Sequence, residues 1–211
     1  MKIKTAILID GGWMARVLAS ELNKRYATAE QVYRNAISVM AEDEELYRVF
    51  YYDSEPYQKA QTNPISGLEE DFSKKSTAQG RDRFYRELNK MPQMALRMGS
   101  LNYRGWKLKD DFYEKLLNRT VQPNSISATD IMPNFMQKGV DMKIGIDIAS
   151  LVFKKIVSRI ILFSADTDMI PAIKLARREG VQISVVQIGK AKLGSKLIED
   201  SDFLLTLTPQ A

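Results

Sequence analysis

The chain contains neither cysteine nor histidine among its 211 residues. The absence of cysteine excludes disulfides, thiolate metal ligands and a cysteine nucleophile. The absence of histidine removes the commonest general base and every zinc site that uses an imidazole. Any acid, base or metal chemistry must therefore depend on Asp, Glu, Lys, Tyr, Ser or Thr.

Long apolar runs are also missing. No stretch approaches the roughly 20 apolar residues that cross a bilayer. The first five residues lead into a strand-like run and carry no signal-peptide cleavage pattern. We expect a cytoplasmic protein with no membrane partner, and we leave a homodimer open.

Strand-like and helix-like segments alternate along the chain. Strands are predicted at 4–9, 46–52, 98–109, 159–164, 181–188 and 203–207, and helices at 13–25, 29–40, 81–96, 141–156 and 169–179. This alternation favours a mostly parallel sheet covered by helices on both faces, in a single domain over residues 1–211. Turn-rich polar composition predicts a loop or lid at 54–80 and an irregular insertion at 110–136.

Two predicted strands run into bare carboxylates: one ends at Asp10, and the other leads into Asp166 and Asp168. The carboxyl ends of parallel strands line one crevice. Two carboxylates about 4 Å apart repel by roughly 4 kcal/mol at an effective dielectric near 20, so a cluster needs a cation or shared protons. Oxygen ligands of this kind suit Mg²⁺ or Mn²⁺, which support phosphodiester cleavage. Asp168 alone can equally be a helix N-cap.

A third acidic segment lies between these two in sequence. Asp141 and Asp147 fall in one predicted helix, about a third of a turn apart, so they need not share a ligand. Asp141 lies where an acid favours the helix dipole, and we therefore expect Asp147 to be the direct ligand. The alternative for Asp147 is a pair with Lys143, four residues earlier.

Basic residues are concentrated between Arg81 and Arg119, where ten Lys or Arg accompany five acids. Aromatic residues interleave with them. Lys and Arg side chains neutralise phosphates, and aromatic faces stack on unpaired nucleobases. This composition therefore indicates binding to a single-stranded nucleic acid. A solvated surface over a core of aromatics explains the pattern equally well.

Other phosphate-handling frameworks fit less well. Residues 189–194 do not match a P-loop, and no GxGxxG follows the first strand. A haloacid-dehalogenase-like phosphatase needs a second Asp two residues after Asp10, where the chain has Gly12.

The order of the motifs resembles that of NYN domains, in the LabA/DUF88-like branch of the PIN-like nuclease superfamily. The matching segments are Ile9-Asp10-Gly11-Gly12, Val49-Phe50-Tyr51-Tyr52-Asp53, Lys138-Gly139-Val140-Asp141 with Asp147, Ser164-Ala165-Asp166-Thr167-Asp168 and the closing Gly194-Ser195-Lys196-Leu197. The resemblance covers nearly the whole chain.

The resemblance implies a Rossmann-like three-layer α/β/α sandwich and Mg²⁺- or Mn²⁺-dependent ribonuclease activity. It assigns the metal-binding and catalytic roles to Asp10, Asp147, Asp166 and Asp168, and supporting roles to Asp141 and Ser164. Trp13 and Ala165 depart from the family pattern, and neither change removes a carboxylate.

We therefore expect a metal-dependent endoribonuclease acting on single-stranded RNA. Contact with the RNA is expected from Arg81, Arg83, Arg97, Arg104, Lys107 and Lys138. Two alternatives stay open: a catalytically silent RNA-binding or regulatory module, and a metal-dependent phosphatase or nucleotidase acting on small phosphate esters.

Overall fold

The structure is a computed structural model, which describes residues 2–210. The chain divides into two compact units. Unit 1 comprises the chain up to Ser54, Arg83–Gly99 and the chain from Gly139 onward, and unit 2 comprises Glu55–Asp82 and Ser100–Lys138.

The helices and strands follow one another in a regular order. The strands are β1 (Ile3–Asp10), β2 (Glu44–Ser54), β3 (Ala60–Thr62), β4 (Glu69–Asp71), β5 (Met94–Leu108), β6 (Ile131–Lys138), β7 (Arg159–Phe163), β8 (Gln182–Ile188) and β9 (Phe203–Leu207). The helices are α1 (Gly11–Glu21), α2 (Ala29–Ile37), α3 (Ser76–Leu88), α4 (Asp110–Leu117), α5 (Val140–Phe153), α6 (Ile170–Arg178) and α7 (Ser195–Glu199).

Unit 1 is built on parallel strands. The order is β5-β2-β1-β7-β8-β9, and each neighbouring pair is parallel. β1, β7 and β8 carry runs of apolar residues that are buried on both faces, as expected for strands covered by helices on both sides. The α/β class with a mostly parallel central sheet is therefore confirmed.

The helices of unit 1 begin and end at residues suited to those positions. Thr28 and Gln31 form a reciprocal capping box at the start of α2. After α6, Gly180 takes a positive φ of 86°, a conformation that glycine commonly adopts just beyond a helix C-terminus. α1 packs against α2, and α5 packs against α6.

Unit 2 contains two antiparallel pairings. β3 pairs with β4, and the second half of β5 pairs with β6, with a bulge between Tyr103 and Trp106. Aromatic rings pack together in this unit, and they belong to Tyr57, Phe72, Tyr103 and Phe135. The indole Nε1 of Trp106 donates to the carbonyl of Thr62 at 3.0 Å.

The structure corrects the prediction of an irregular 110–136. Asp110 and Asp111 open α4, where acids favour the helix dipole. β6 contains Pro133, which lowers its strand signal in sequence but is tolerated because β6 is the last strand in the sheet order.

The boundaries between 54 and 96 also differ from the prediction. Residues 54–80 contain β3, β4 and the start of α3 rather than a continuous loop. α3 ends at Leu88 and not at residue 96, because Pro92 disfavours helix in the residue before it and β5 begins at Met94. Among residues 2–210, no helix has the length and apolar character that membrane crossing requires.

Candidate functional site

The site lies at the carboxyl ends of the central strands of unit 1. β1 pairs with β2 on one side and with β7 on the other, so the direction of winding reverses between β1 and β7. In open α/β sheets, ligands bind at this switch point. Asp10 ends β1, Asp53 lies near the end of β2, and Asp166 follows β7 by three residues.

Asp10 has a structural role as well as a place in the site. It is the N-cap of α1, and its Oδ1 accepts a hydrogen bond from the Trp13 amide at 3.1 Å. Burial raises the pKa of Asp10 and the Trp13 hydrogen bond opposes that rise, while the charges of Asp141, Asp53 and Asp166 add to it. Asp10 therefore lies within electrostatic reach of three further carboxylates.

The segment after β7 forms a tight turn around Asp166. The buried Ser164 accepts, through Oγ, a hydrogen bond from the Asp166 amide at 3.1 Å, and Asp166 Oδ1 accepts one from the Asp168 amide at 2.9 Å. Asp166 thus caps the 3₁₀ turn Thr167–Met169, while the exposed Asp168 lies within that turn. The N-cap of α6 is Met169, so Asp168 does not cap that helix.

Asp141 lies in the first turn of α5, preceded by Gly139 with a φ of 80°. Burial raises the pKa of Asp141, and the charges of Asp166 and Asp168 raise it further. We call Asp10, Asp53, Asp141, Asp166 and Asp168 the carboxylate cluster. Its members come from β1, β2, the start of α5 and the turn after β7.

Asp147 is engaged elsewhere. Both of its carboxylate oxygens accept hydrogen bonds from Arg97, from Nε at 2.8 Å and from Nη2 at 2.6 Å, and the Tyr52 hydroxyl donates to Oδ2 at 2.9 Å. Asp147 is not among the groups that raise the pKa of Asp10 or Asp141. Asp147, expected as a ligand, is therefore engaged by Arg97 and Tyr52, whereas Asp141, expected as support, lies within electrostatic reach of Asp10 and Asp166.

The environment of Tyr52 and Arg97 follows from this pairing. Tyr52 is fully buried, and burial together with the Asp147 charge raises the pKa of its hydroxyl. The hydrogen bonds to Asp147 raise the pKa of Arg97. Arg97 therefore pairs with the Asp147 carboxylate as a protonated guanidinium.

Asp53 is a site residue that was absent from the predicted set. It is 2% exposed, and its Oδ1 accepts a hydrogen bond from the Ser54 amide at 2.8 Å. Its charge raises the pKa of Asp10. The signal in the sequence is that Asp53 follows a strand-like run, as Asp10 does.

The six basic residues expected to contact RNA are all exposed: Arg81, Arg83, Arg97, Arg104, Lys107 and Lys138. Arg83 and Arg97 belong to unit 1 and the other four to unit 2. The guanidinium of Arg97 forms a salt bridge with Asp147. Of the two expected RNA-contacting residues in unit 1, Arg83 does not take part in that salt bridge.

The chemistry of the carboxylate cluster suits a hard divalent cation, because carboxylate oxygens are the donors that Mg²⁺ and Mn²⁺ prefer. Burial, and after it repulsion between carboxylates, raises the pKa of Asp10 and of Asp141, and a bound cation would offset both costs. Across residues 2–210, no three acidic side chains stand close enough to hold an ion as they are placed. The donors therefore fit a cation in kind, and binding requires the side chains to close around it.

Comparison with known proteins identifies the family of this chain. The NYN domain model matches residues 4–207. Among solved structures, a Vibrio parahaemolyticus RIMD 2210633 protein of unknown function, VPA0982, is similar with a TM-score of 0.52 and 14% identity, covering 98% of this chain and 94% of that one. This likeness shows the fold alone. No curated protein matches the chain.

Proposed function

Because the chain belongs to the NYN domain family, part of the PIN-like nuclease superfamily, we propose that it is a ribonuclease that depends on Mg²⁺ or Mn²⁺. Family membership gives a nuclease-like, RNA-related function at the coarse level. The metal, the RNA substrate and the endonucleolytic mode are our proposal.

One observation carries the proposal: carboxylates from separate chain segments lie within electrostatic reach of one another at the switch point of the sheet. Asp10, Asp141 and Asp166 come from the end of β1, the start of α5 and the turn after β7. Burial raises the pKa of Asp10, and the charges of Asp141 and Asp166 raise it further. An arrangement that costs electrostatic energy is retained most readily where a ligand offsets the cost.

We assign metal binding to Asp10, Asp141 and Asp166, with Asp168 at the exposed rim. When bound, a divalent cation polarises a phosphate oxygen and offsets the charge that develops during phosphodiester cleavage. Asp147, expected from sequence to be a ligand, becomes a positioning residue in this proposal, because Arg97 and Tyr52 engage its carboxylate.

Backbone contacts fix the orientation of two proposed ligands. The Trp13 amide holds Asp10 through Oδ1, and the Asp168 amide holds Asp166 through Oδ1. Ser164 in turn accepts from the Asp166 amide and shapes the turn. Oriented carboxylates need less reorganisation when they close on a ligand.

The substrate class follows from charge and from the family. The chain carries a net charge of +5 without histidine, and the expected RNA-contacting residues are exposed. Exposed bases neutralise phosphates and release counterions. Of the six aromatic residues interleaved with these basic side chains, only Tyr113 is exposed, and Tyr85 and Phe112 are buried. The preference for an unpaired strand is therefore proposed from the sequence pattern and is not carried by a stacking surface.

The test is cleavage of labelled single-stranded RNA in Mn²⁺ by the wild type, Asp166→Asn and Asp43→Asn. Asp43 is an exposed acid just before β2, at the amino ends of the strands, whereas the carboxylate cluster lies at their carboxyl ends. It serves as the matched control. We expect cleavage by the wild type and Asp43→Asn and its loss in Asp166→Asn.

Equal cleavage by all three proteins would refute the assigned site. Mn²⁺-dependent thermal stabilisation without cleavage would favour a catalytically silent RNA-binding module. Hydrolysis of nucleoside monophosphates without RNA cleavage would favour a phosphatase or nucleotidase.

A further inference from the structure

The segment after β8 brings lysines to the same edge of the sheet as the carboxylate cluster. Residues 190–196, here called the lysine loop, read Lys-Ala-Lys-Leu-Gly-Ser-Lys and connect β8 to α7 and its first residues. β8 is parallel to β7, so its carboxyl end opens on the same side as the Asp166 turn. Both segments belong to unit 1.

The lysine loop lies against the acidic turn. A Cβ built on Gly194 would stand 3.6 Å from Cγ2 of Thr167, which lies between Asp166 and Asp168. α7 also packs on the 3₁₀ turn Thr167–Met169. The loop is therefore a direct neighbour of two members of the carboxylate cluster.

Buried leucines and backbone hydrogen bonds hold the loop in place. Leu193 is 8% exposed and Leu197 is fully buried, so the lysines alternate with apolar anchors. The Lys190 amide donates to Glu21 Oε1 at 3.0 Å, and the Ala191 amide donates to the carbonyl of Ile188 at 3.0 Å. A loop anchored in this way presents its side chains with little loss of backbone entropy on binding.

The side-chain ammonium groups of these lysines form no salt bridge among residues 2–210. Lys190, Lys192 and Lys196 are exposed, and none forms a salt bridge, although acids lie on the neighbouring turn. The groups that shift the pKa of Asp10 and of Asp141 include no lysine. The lysines thus belong to a loop next to the cluster and form no ion pair with it.

We propose that Lys192 and Lys196 each bind one phosphate of the RNA backbone, next to the phosphate held at the carboxylate cluster. This inference rests on the proposed function, since it assumes that RNA is the substrate. Lysine acts as a compact positive charge on phosphate and carries no base specificity. The lysine loop is thereby a binding surface distinct from the basic stretch at 81–119.

The test measures binding of fluorescently labelled single-stranded RNA in EDTA, where no divalent cation supports cleavage, over a range of salt concentrations. The variant is Lys192→Gln with Lys196→Gln. The matched control is Lys154→Gln with Lys155→Gln, which removes the same charge from the exposed C-terminal end of α5, near the amino end of β7. Thermal unfolding of both variants verifies the fold.

We expect the slope of log affinity against log salt to become shallower by about 1.4 in the loop variant, because each phosphate contact on a single strand contributes about −0.7 to that slope. The control and a Lys192→Arg, Lys196→Arg variant should keep the wild-type slope. Equal slopes in the loop variant and the control would overturn the proposal.

Absence of RNA binding by the wild type would also overturn it. The Mn²⁺ cleavage assay decides the proposed function separately, because it compares aspartate variants whose lysine loop is intact. Cleavage with an unchanged salt slope in the loop variant would therefore reject the lysine loop and leave the nuclease proposal standing.

Discussion

Arg97 on β5 holds Asp147 on α5 through two hydrogen bonds, at 2.8 and 2.6 Å. The pair joins a strand to a helix that are 50 residues apart in the chain, and Tyr52 completes it from β2. A carboxylate with both oxygens engaged in this way is suited to fixing α5, whose first turn carries Asp141. The pair is the reason why Asp147 is assigned a structural role, whereas Asp10, Asp141 and Asp166 are assigned to the metal.

Replacement of Asp147 should affect stability more than metal binding. We expect Asp147→Asn to lower the free energy of unfolding by about 1–3 kcal/mol, because Arg97 and the buried Tyr52 lose their charged acceptor. The Mn²⁺-induced increase in Tm should persist in this variant and disappear in Asp166→Asn. Urea unfolding and thermal shift measure the two effects, and loss of the Mn²⁺ response in Asp147→Asn would restore Asp147 as a ligand.

Asp10 allows its capping role to be separated from its charge. Asp10→Asn retains an acceptor for the Trp13 amide and removes a charge that burial disfavours, so in EDTA near neutral pH we expect stability equal to or above that of the wild type, together with loss of RNA cleavage when Mn²⁺ is supplied. Asp10→Ala should lose cleavage and also about 1 kcal/mol of stability, since the cap is removed. Cleavage rates and urea unfolding of the two variants check this. A stability loss of equal size in Asp10→Asn and Asp10→Ala would contradict the capping role.

Stability in EDTA should depend on pH through Asp10 and Asp141. Burial and neighbouring carboxylates raise the pKa of both groups above 3.8, so the folded state binds these protons more tightly than the unfolded state. Ionisation therefore costs stability as pH rises from about 3.8 through the raised pKa. We expect wild type to gain stability relative to Asp10→Asn as pH falls through that window.

The measurement is the difference in free energy of unfolding between these two proteins at about pH 7 and about pH 4.5. Mn²⁺ should remove most of the difference near neutral pH, since bound cation favours the ionised carboxylates. A difference that does not change with pH would show that Asp10 titrates alike in the folded and unfolded states.

Gly11 is required by the ring of Tyr51. A Cβ at Gly11 would overlap with this fully buried ring, whereas a Cβ at Gly12 would meet only Oδ1 of Asp10, at 3.6 Å. We expect Gly11→Ala to cost about 1–3 kcal/mol of stability from overpacking. Gly12→Ala should be neutral or stabilise by up to about 1 kcal/mol, because alanine favours helix. Thermal unfolding compares the two, and an equal effect would argue against the close approach.

The sequence predicted those parts of the site that follow from local pattern. Asp10 and Asp166 each follow an apolar strand, and the parallel sheet brings the ends of β1 and β7 together. The partner of Asp147 was not accessible in this way, because helical periodicity describes α5 alone and says nothing about a guanidinium on β5. The pairing with Lys143, one of the predicted alternatives, gives way to a residue far along the chain.

Unit 2 was harder to predict for a different reason. β3 and β4 are three residues each, and β6 carries a proline, so none shows the apolar run that identified β1 and β7. Short and edge strands depend on their pairing partners more than on their own composition. β6 is therefore paired with the second half of β5, and β3 and β4 are paired with each other.

The Trp13 hydrogen bond to Asp10 has a consequence for heat inactivation. The side chain that would bind the cation is also the N-cap of α1. Fraying of the first helical turn would therefore also displace this ligand. With the proposed metal site, a state in which α1 is frayed would also lack the ligand Asp10. Loss of activity on heating should track the melting of α1 itself.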